Sequence, residues 1–160
     1  MSLVKKIVLL GNFGVGKTSL IRKFVTNEFS SDYKVTIGVH VLKKEIEIDN
    51  KKIALVLWDL EGTDDLEKIN KAYLKGSSGF IYVYDVTRPS TYQNLKEATN
   101  YLKSTFNISN IKVIGNKSDL LDETRYAEIN NSIYKPDFYS SAKTGDNVEL
   151  VFKSIAKDLI

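Results

Sequence analysis

The segment Gly11-Asn12-Phe13-Gly14-Val15-Gly16-Lys17-Thr18 fits the spacing G-x-x-x-x-G-K-[ST] and lies between an apolar run, Ile7 to Leu10, and a helical pattern that begins at Ser19. A strand, a glycine-rich turn and a helix start are the context in which this spacing forms a phosphate-binding loop. Glycines let successive N–H groups turn toward an anion, because no Cβ blocks the approach, and the following helix directs its positive end there. We expect Lys17 to lie along the β- and γ-phosphates and the Thr18 hydroxyl to bind Mg²⁺.

The composition indicates one globular domain over residues 1–160. Of the 160 residues, 42% are hydrophobic and 27% are charged, which is enough for a sizeable core. The net charge of +3 comes from 23 basic and 20 acidic residues scattered along the chain, so no nucleic-acid surface is expected. Without cysteine the chain forms no disulfide, thiolate metal site or cysteine-linked lipid. No signal peptide or spanning apolar run is seen, so the expected location is cytoplasmic.

Strand-like runs alternate with helical patterns along the chain. The predicted strands are Leu3 to Leu10, the ribbon arms Ile37 to Ile48 and Lys52 to Asp59, Gly79 to Asp85, Ile111 to Gly115, and Asp137 to Ser140. The predicted helices run from the phosphate loop to about Thr26, and over Leu66 to Leu74, Thr91 to Phe106, Glu123 to Ile133, and Val148 to Ile160. This alternation predicts an α/β fold, with a six-stranded, mostly parallel sheet, one antiparallel edge strand and helices on both faces.

A second motif, Trp58-Asp59-Leu60-Glu61-Gly62, ends a predicted strand with an acidic residue and has a glycine three positions later. Asp-x-x-Gly is a common pattern by itself. Beside a phosphate loop, however, Asp59 is placed to hold the Mg²⁺ shell and the Gly62 N–H to reach a γ-phosphate.

A third motif, Asn116-Lys117-Ser118-Asp119, follows the predicted strand Ile111 to Gly115 and indicates which nucleotide base is bound. A carboxylate accepts both donors of guanine, N1–H and the exocyclic amine, whereas adenine presents a ring-nitrogen acceptor there and would be rejected. We expect Asp119 to select guanine, Lys117 to pack its methylenes along the base, and Asn116 to tie this loop to the phosphate loop. The alternative is a turn that opens a helix, with Asp119 as its cap. Ser141-Ala142-Lys143 can offer an N–H to the guanine oxygen and a second methylene stack.

With these motifs in this order, the sequence resembles the Ras superfamily of small GTPases and is most similar to its Rab branch. The likeness covers essentially all 160 residues and is carried by Gly11 to Thr18, Thr36-Ile37-Gly38-Val39, Trp58-Asp59 with Gly62, Tyr84-Asp85-Val86-Thr87, Asn116 to Asp119, and Ser141 to Lys143. The resemblance implies a P-loop NTPase of the small-G-domain type. It also implies a GDP/GTP switch with Mg²⁺ as cofactor and two mobile segments, about residues 30–39 and 59–73.

The resemblance also implies residue roles. Thr36 matches a threonine that ligates Mg²⁺ and senses the γ-phosphate, Phe29 an aromatic that packs on guanine, and Tyr33 a tyrosine that closes over the phosphates. Phe29 can equally be a core anchor for its loop. The implied nucleotide-binding set is Asn12, Phe13, Gly14, Val15, Gly16, Lys17, Thr18, Ser19, Phe29, Tyr33, Thr36, Gly62, Asn116, Lys117, Asp119, Ser141, Ala142 and Lys143. The implied metal ligands are Thr18, Thr36 and Asp59, and the implied catalytic residues are Lys17, Thr36, Gly62 and Thr63.

Three residues depart from the family pattern. Thr63 stands where the family usually has a glutamine that orients the attacking water, and a short hydroxyl side chain cannot span water and phosphoryl oxygen as an amide can. Phe13 stands where a small residue leaves room for an incoming arginine finger. Glu61 replaces a common alanine and adds negative charge near the γ-phosphate unless it points to solvent. Slow intrinsic GTP hydrolysis is therefore predicted. A threonine at the position of Thr63 is also found in the Rap branch, where a partner supplies an asparagine.

The implied partners are GTP and GDP, together with effectors, exchange factors and GTPase-activating proteins that contact residues 30–42 and 59–75. We expect a monomer. Lipidated family members continue into a cysteine-bearing tail, so peripheral membrane association is expected only if the natural chain carries one. The alternative function is a pseudo-GTPase that binds nucleotide and serves as an interaction platform. A P-loop kinase or ATPase would leave residues 116–119 without a purpose.

Overall fold

The computed structural model describes residues 3–30 and 36–160. Within these ranges one sheet contains β1 (Leu3–Gly11), β2 (Val39–Ile48), β3 (Lys51–Leu60), β4 (Gly79–Asp85), β5 (Ile111–Asn116) and β6 (Phe138–Tyr139). Its strand order is β2-β3-β1-β4-β5-β6. Only β2 runs antiparallel to its neighbour, and the other four pairings are parallel. The predicted six-stranded, mostly parallel sheet with an antiparallel edge strand is confirmed.

The helices of the described ranges are α1 (Lys17–Thr26), α2 (Lys71–Leu74), α3 (Leu95–Phe106), α4 (Glu123–Asn130) and α5 (Val148–Lys157). Short 3₁₀ turns cover Leu66–Lys68, Pro89–Thr91 and Ser118–Leu120. In the part of the chain that the structure describes, no helix has the length and hydropathy that crossing a membrane requires.

Two apolar clusters, one on each face of the sheet, form the core. Alternate residues of a strand point to opposite faces. Accordingly Ile7 and Leu9 of β1 join the cluster built from α1 and α5, whereas Val8 and Leu10 join the cluster built from α3 and α4. The predicted arrangement, with helices on both faces, is confirmed.

The ribbon of β2 and β3 is held by a tight turn and forms the edge of the sheet. Asp49 and Asn50 have φ angles of 50° and 64°, the left-handed pair that a two-residue hairpin turn requires and that Asn and Asp tolerate. Residues of β2 alternate between exposed and half-buried positions. An edge strand with one face in contact with solvent has this alternating pattern.

The predicted single helix over Leu66 to Leu74 is wrong. The structure has a 3₁₀ turn and a separate short helix there, and each begins at its own capping side chain. The Asp65 carboxylate accepts the Glu67 N–H at 3.0 Å and so begins the 3₁₀ turn. The Asn70 side chain accepts the Ala72 N–H at 3.0 Å and begins α2. Each cap sets the start of its own short segment.

Other predicted boundaries differ by a few residues. β2 begins at Val39 rather than Ile37, α3 begins at Leu95 rather than Thr91, α4 ends at Asn130 rather than Ile133, β6 keeps only Phe138–Tyr139, and α5 ends at Lys157 rather than Ile160. Side chains explain two of these limits. The Thr91 hydroxyl bonds within the turn after β4, and the Ser132 hydroxyl donates to the Ile129 carbonyl at 2.7 Å, which ends α4.

The contact between α1 and α5 provides a test of the core. Phe24 is 2% exposed, and its ring stacks on that of Phe152 with centroids 4.2 Å apart. We expect Phe24→Ala to lower the free energy of unfolding by about 3–5 kcal/mol, because it leaves a cavity between the helices. Urea unfolding measures the change. Ile133→Ala, at a residue that is 78% exposed, is the control and should alter stability by about 0.5 kcal/mol or less. Equal losses in the two variants would contradict the packing described.

Candidate functional site

The loop after β1 has the conformation that its glycines predict. Gly14 and Gly16 have φ angles of 70° and 102°, in the left-handed region. A Cβ built on Gly16 would lie 2.2 Å from the Asn116 Nδ2 atom, so a side chain there is excluded by space as well as by backbone conformation. The phosphate loop thus packs at Gly16 directly against Asn116, the last residue of β5.

Lys17 lies beneath this loop and is only 6% exposed. Its Nζ donates to the carbonyl oxygens of Gly11 at 3.1 Å and Asn12 at 3.0 Å. Burial lowers the pKa of the ammonium to about 8, with a further lowering by the charge of Arg88 and an opposing effect of Asp59. The side chain is therefore held across the loop and has little hydration of its own.

Three oxygen-bearing side chains converge beside the loop. The Thr18 hydroxyl donates to Asp59 Oδ2 at 2.5 Å and lies 2.6 Å from the Thr36 hydroxyl. Asp59 is 2% exposed, and burial raises its pKa. Among the described residues, its Oδ1 has no hydrogen-bond partner. An orphaned carboxylate oxygen with two hydroxyls fits Mg²⁺, which prefers oxygen ligands. The structure thus brings together the three residues predicted to hold the metal.

The third motif lies against the first. Asn116 donates from Nδ2 to the Val15 carbonyl at 2.9 Å, and its Oδ1 accepts from the Ser140 hydroxyl at 3.1 Å. The predicted tie between the two loops is confirmed. Asp119 is exposed and accepts the Ser141 hydroxyl at 2.8 Å, so this carboxylate is oriented by the segment after β6. The alternative, in which Asp119 caps a helix, is wrong because the cap of α4 is Asp122.

A cleft of about 240 Å³ opens between these loops. Its walls contain ten of the predicted residues: Phe13, Gly14, Gly16, Lys17, Thr18, Ser19, Phe29, Thr36, Gly62 and Lys117. Arg22, Glu28 and Ser30 also line it and were not predicted. Phe29 is 41% exposed at the rim, so the alternative role as a core anchor is wrong. Tyr33 lies outside the described residues.

Of the remaining predicted residues, Val15 is buried in the core below the loop, and Ala142 is buried beside Ser141. Lys143 is exposed. The Ser141 N–H already donates to the Asp146 carbonyl at 3.1 Å.

The segment after β3 packs on the phosphate loop. A Cβ on Gly62 would lie 2.7 Å from the backbone nitrogen of Phe13, so only glycine fits here. The Thr63 N–H donates to the Gly11 carbonyl at 3.1 Å. Its hydroxyl donates to the Asp65 carbonyl at 3.0 Å and accepts the Asp65 N–H at 3.1 Å. Glu61 is exposed, as the solvent-pointing alternative requires.

Sequence reasoning gave no role to Asp85 and Arg88. Asp85 ends β4, is 1% exposed, and accepts at Oδ2 from both Arg88 Nε and Lys117 Nζ, each at 3.0 Å. Arg88 then reaches the phosphate loop, because its Nη2 donates to the Phe13 carbonyl at 2.7 Å. The available signal was an acidic residue that ends a wholly apolar strand, with an arginine three positions later.

The fold and this cleft define a class. A glycine loop at the carboxyl end of a central parallel strand, a buried lysine below it and a carboxylate–hydroxyl cluster beside it are the elements of a P-loop nucleotide-binding protein.

Comparison with known proteins identifies the family. The sequence profile of the Ras family matches residues 6–160. The chain is 36% identical to the Ras-related protein SEC4 of Saccharomyces cerevisiae over an alignment 159 residues long, which covers 96% of this chain and 74% of the relative. It is 38% identical over 164 residues to the Ras-related protein Rab-1 of Theileria annulata, with coverage of 96% and 73%. It is 35% identical over 161 residues to the Ras-related protein RABE1e of Arabidopsis thaliana, with coverage of 96% and 74%.

The chain therefore belongs to the Ras family of small GTPases and is Rab-like within it. Members of this family are GTP-binding molecular switches.

The buried Asp85 carboxylate has a testable pH signature. Burial acts to raise its pKa, but bonds from the hydroxyl and N–H of Thr87, from Lys117 and from Arg88 outweigh burial, so its pKa lies below the ordinary value. A depressed carboxyl pKa stabilises the folded state above the unfolded-state value of about 3.9, and this contribution is lost as the pH falls through the folded-state value. We expect Asp85→Asn to cost about 3 kcal/mol near neutral pH, and less below about pH 4.

Urea unfolding of wild type and variant at several pH values from about 7 to about 3 measures this difference. Asp158→Asn, which removes an ion pair between an exposed carboxylate and the half-buried Lys112, is the control and should cost less than about 1 kcal/mol at any pH. A cost of Asp85→Asn that stays constant down to pH 3 would show that the carboxylate is not held by these partners.

Proposed function

We propose that residues 1–160 form one nucleotide-binding domain that alternates between GDP and GTP, uses Mg²⁺ and hydrolyses GTP slowly unless a partner assists. The observation that carries the proposal is the bond from Asn116 to the Val15 carbonyl, 2.9 Å long and buried. It holds the Asp119 loop beside the phosphate loop, so that one ligand with a purine at one end and phosphates at the other can contact both.

The base end of the proposed site selects guanine. Asp119 accepts N1–H and the exocyclic amine, and the bond from the Ser141 hydroxyl orients its carboxylate. Since the Ser141 N–H is already bonded to Asp146, the donor to the guanine oxygen is the N–H of Ala142 or Lys143. Phe29 at the cleft rim and the methylenes of Lys117 cover the base.

The phosphate end of the proposed site combines N–H groups of residues 12–19 with Lys17. On anion binding, the Lys17 ammonium exchanges its two carbonyl partners in part for phosphate oxygens, and the anion offsets its burial. Thr18, Thr36 and Asp59 are the ligands or shell of Mg²⁺, which when bound neutralises phosphate charge. The Gly62 N–H completes the contact to the γ-phosphate.

Slow hydrolysis is supported by the surroundings of Thr63. Its hydroxyl exchanges two hydrogen bonds with the Asp65 backbone, so its donor and one acceptor position are used within its own turn. A side chain so engaged is poorly placed to orient a water. Phe13, 45% exposed at the rim, obstructs an arginine supplied by a partner. Glu61 points to solvent, so we assign it no effect on the γ-phosphate.

Partner binding is proposed at residues 30–42 and 59–75, which in this family contact effectors, exchange factors and GTPase-activating proteins. Two contacts support coupling between these segments. The Thr18 hydroxyl bonds both Thr36 of the first segment and Asp59 of the second, and the Glu61 N–H donates to the Gly38 carbonyl at 2.9 Å. We propose a monomer in the cytoplasm, which attaches to a membrane only if the natural chain carries a lipidated tail.

The selection of guanine can be tested by replacing one carboxylate oxygen of Asp119 with an amide nitrogen. Asp119→Asn replaces an acceptor with an amide donor, which clashes with the guanine amine but matches the carbonyl that xanthine has in its place. We expect the affinity for GDP to fall by about a hundredfold or more, and xanthosine diphosphate to bind the variant better than GDP. Calorimetry with each nucleotide and Mg²⁺ measures both values.

Asp122→Asn is the matched control, because it lies three residues away and caps α4 through a bond to the Arg125 N–H that asparagine also makes. Its nucleotide preference should equal that of wild type. No heat from the stripped wild-type protein with either guanine nucleotide would refute the proposed function outright.

The hydrolysis defect can be tested by restoring the usual residues. We expect Thr63→Gln combined with Phe13→Gly to raise the single-turnover rate of GTP hydrolysis by about tenfold or more, because an amide can position the water. Thr124→Gln, on the exposed surface of α4, is the control and should leave the rate unchanged. An unchanged rate in the double variant, or a wild-type rate equal to that of a glutamine-containing relative, would place the defect elsewhere.

A further inference from the structure

We propose that Arg88 is a positioning residue that holds the Phe13–Gly14 peptide of the phosphate loop in its binding orientation and so lengthens the residence time of bound nucleotide. This inference rests on the proposed nucleotide site. It assigns a function to a residue that lies outside the motifs described above.

The geometry is that of a fork with two different partners. Arg88 Nε donates to the buried carboxylate of Asp85 at 3.0 Å, and Nη2 donates to the Phe13 carbonyl at 2.7 Å. One guanidinium thus joins the end of β4 to the middle of a loop that lies 75 positions earlier in the chain. Bonds to an ionised donor are shorter and stronger than neutral ones.

The backbone of Arg88, from which this side chain extends, is also fixed. The Arg88 N–H donates to the Asp85 carbonyl at 3.0 Å, and the Arg88 carbonyl accepts from the N–H and the hydroxyl of Thr91 at 2.9 and 2.7 Å. Thr91 is 2% exposed. The arginine side chain therefore extends from a turn whose backbone is fixed, so the loop is tied to a part of the fold that does not move with it.

The Phe13–Gly14 peptide needs such a support. Its second residue, Gly14, has a φ of 70°, and glycine gives a peptide more rotational freedom than any other residue. In a planar trans peptide the carbonyl and the N–H point in opposite directions. While the Phe13 carbonyl is held by Arg88, the Gly14 N–H must point away from Arg88. Gly14 lines the cleft, and we infer that this N–H is held toward the phosphates.

The same carboxylate also joins the base-binding loop to this support. Asp85 Oδ2 accepts from Lys117 Nζ as well as from Arg88 Nε. The two loops that would contact opposite ends of a nucleotide therefore share one buried anchor. Lysine cannot replace Arg88 in this role, because its single ammonium lacks the planar spacing of donors that reaches two partners in fixed directions.

Release of a fluorescent N-methylanthraniloyl-GDP from the Mg²⁺-loaded chain, chased with excess GDP, tests the proposal. We expect Arg88→Ala to release the nucleotide about tenfold faster than wild type, since one bond to a charged donor is lost at the loop. Arg88→Lys should also release it at least about fivefold faster, although it keeps the charge. Arg125→Ala removes a partly exposed side chain that, in the part of the chain that the structure describes, bonds only the Tyr92 hydroxyl, and should stay within about twofold of wild type.

A second measurement separates positioning from general loosening. In amide spectra of the GDP-bound protein, the Gly14 signal should shift in both Arg88 variants and remain in place in Arg125→Ala. Release within about twofold of wild type in both Arg88 variants, or faster release without a shift of the Gly14 signal, would overturn the role of Arg88 and leave the proposed function intact. A wild-type protein that retains no GDP would overturn both.

Discussion

The nucleotide cleft depends on how the carbonyl oxygens of one loop are satisfied. The carbonyls of residues 11 and 12 accept from Lys17, that of residue 13 from Arg88, and that of residue 15 from Asn116. Carbonyl and N–H point in opposite directions in each peptide, so tethered carbonyls leave the N–H groups of the loop turned the other way. In the function that we propose, such a loop offers its N–H groups to the phosphates while only the Lys17 side chain changes partners, which is the basis of a preorganised site.

The tethers reach the loop because of the strand order. β1 lies between β3 and β4, and β5 follows β4, so the carboxyl ends of these parallel strands meet at one edge of the sheet. Asp59, Asp85 and Asn116 lie at or next to these ends, and all three are nearly inaccessible to solvent. Each is compensated by a named partner or, for one oxygen of Asp59, by the metal that we propose. Buried polar groups of this kind are costly unless they are paired, so the edge of the sheet is built for a ligand rather than for stability alone.

The segment after β3 shows where this chain differs from the usual pattern of its family. Gly62 lies against the Phe13 backbone, and the Thr63 N–H bonds the Gly11 carbonyl. The Thr63 hydroxyl closes a small turn with Asp65. A glutamine cannot close that turn in the same way, since its polar atoms lie two carbons farther from the backbone. The threonine thus gives this segment a local structure of its own, in addition to removing an amide from the site.

By itself, the sequence determined the class of fold, the glycine loop, the position of Asp59 and the tie from Asn116, because each is encoded by a short pattern at or after a recognisable strand. Thr36 follows no such pattern, and only the resemblance to the family drew attention to it before the structure placed its hydroxyl beside Thr18. Helix limits were less accurate, since caps such as Asn70 act through one hydrogen bond that no periodicity records. Only the tertiary structure decided that Asp85 and Arg88 belong to the site. Their bonds run to Phe13 and Lys117 on other strand ends, and such contacts depend on strand order and register, which spacing along the chain does not specify.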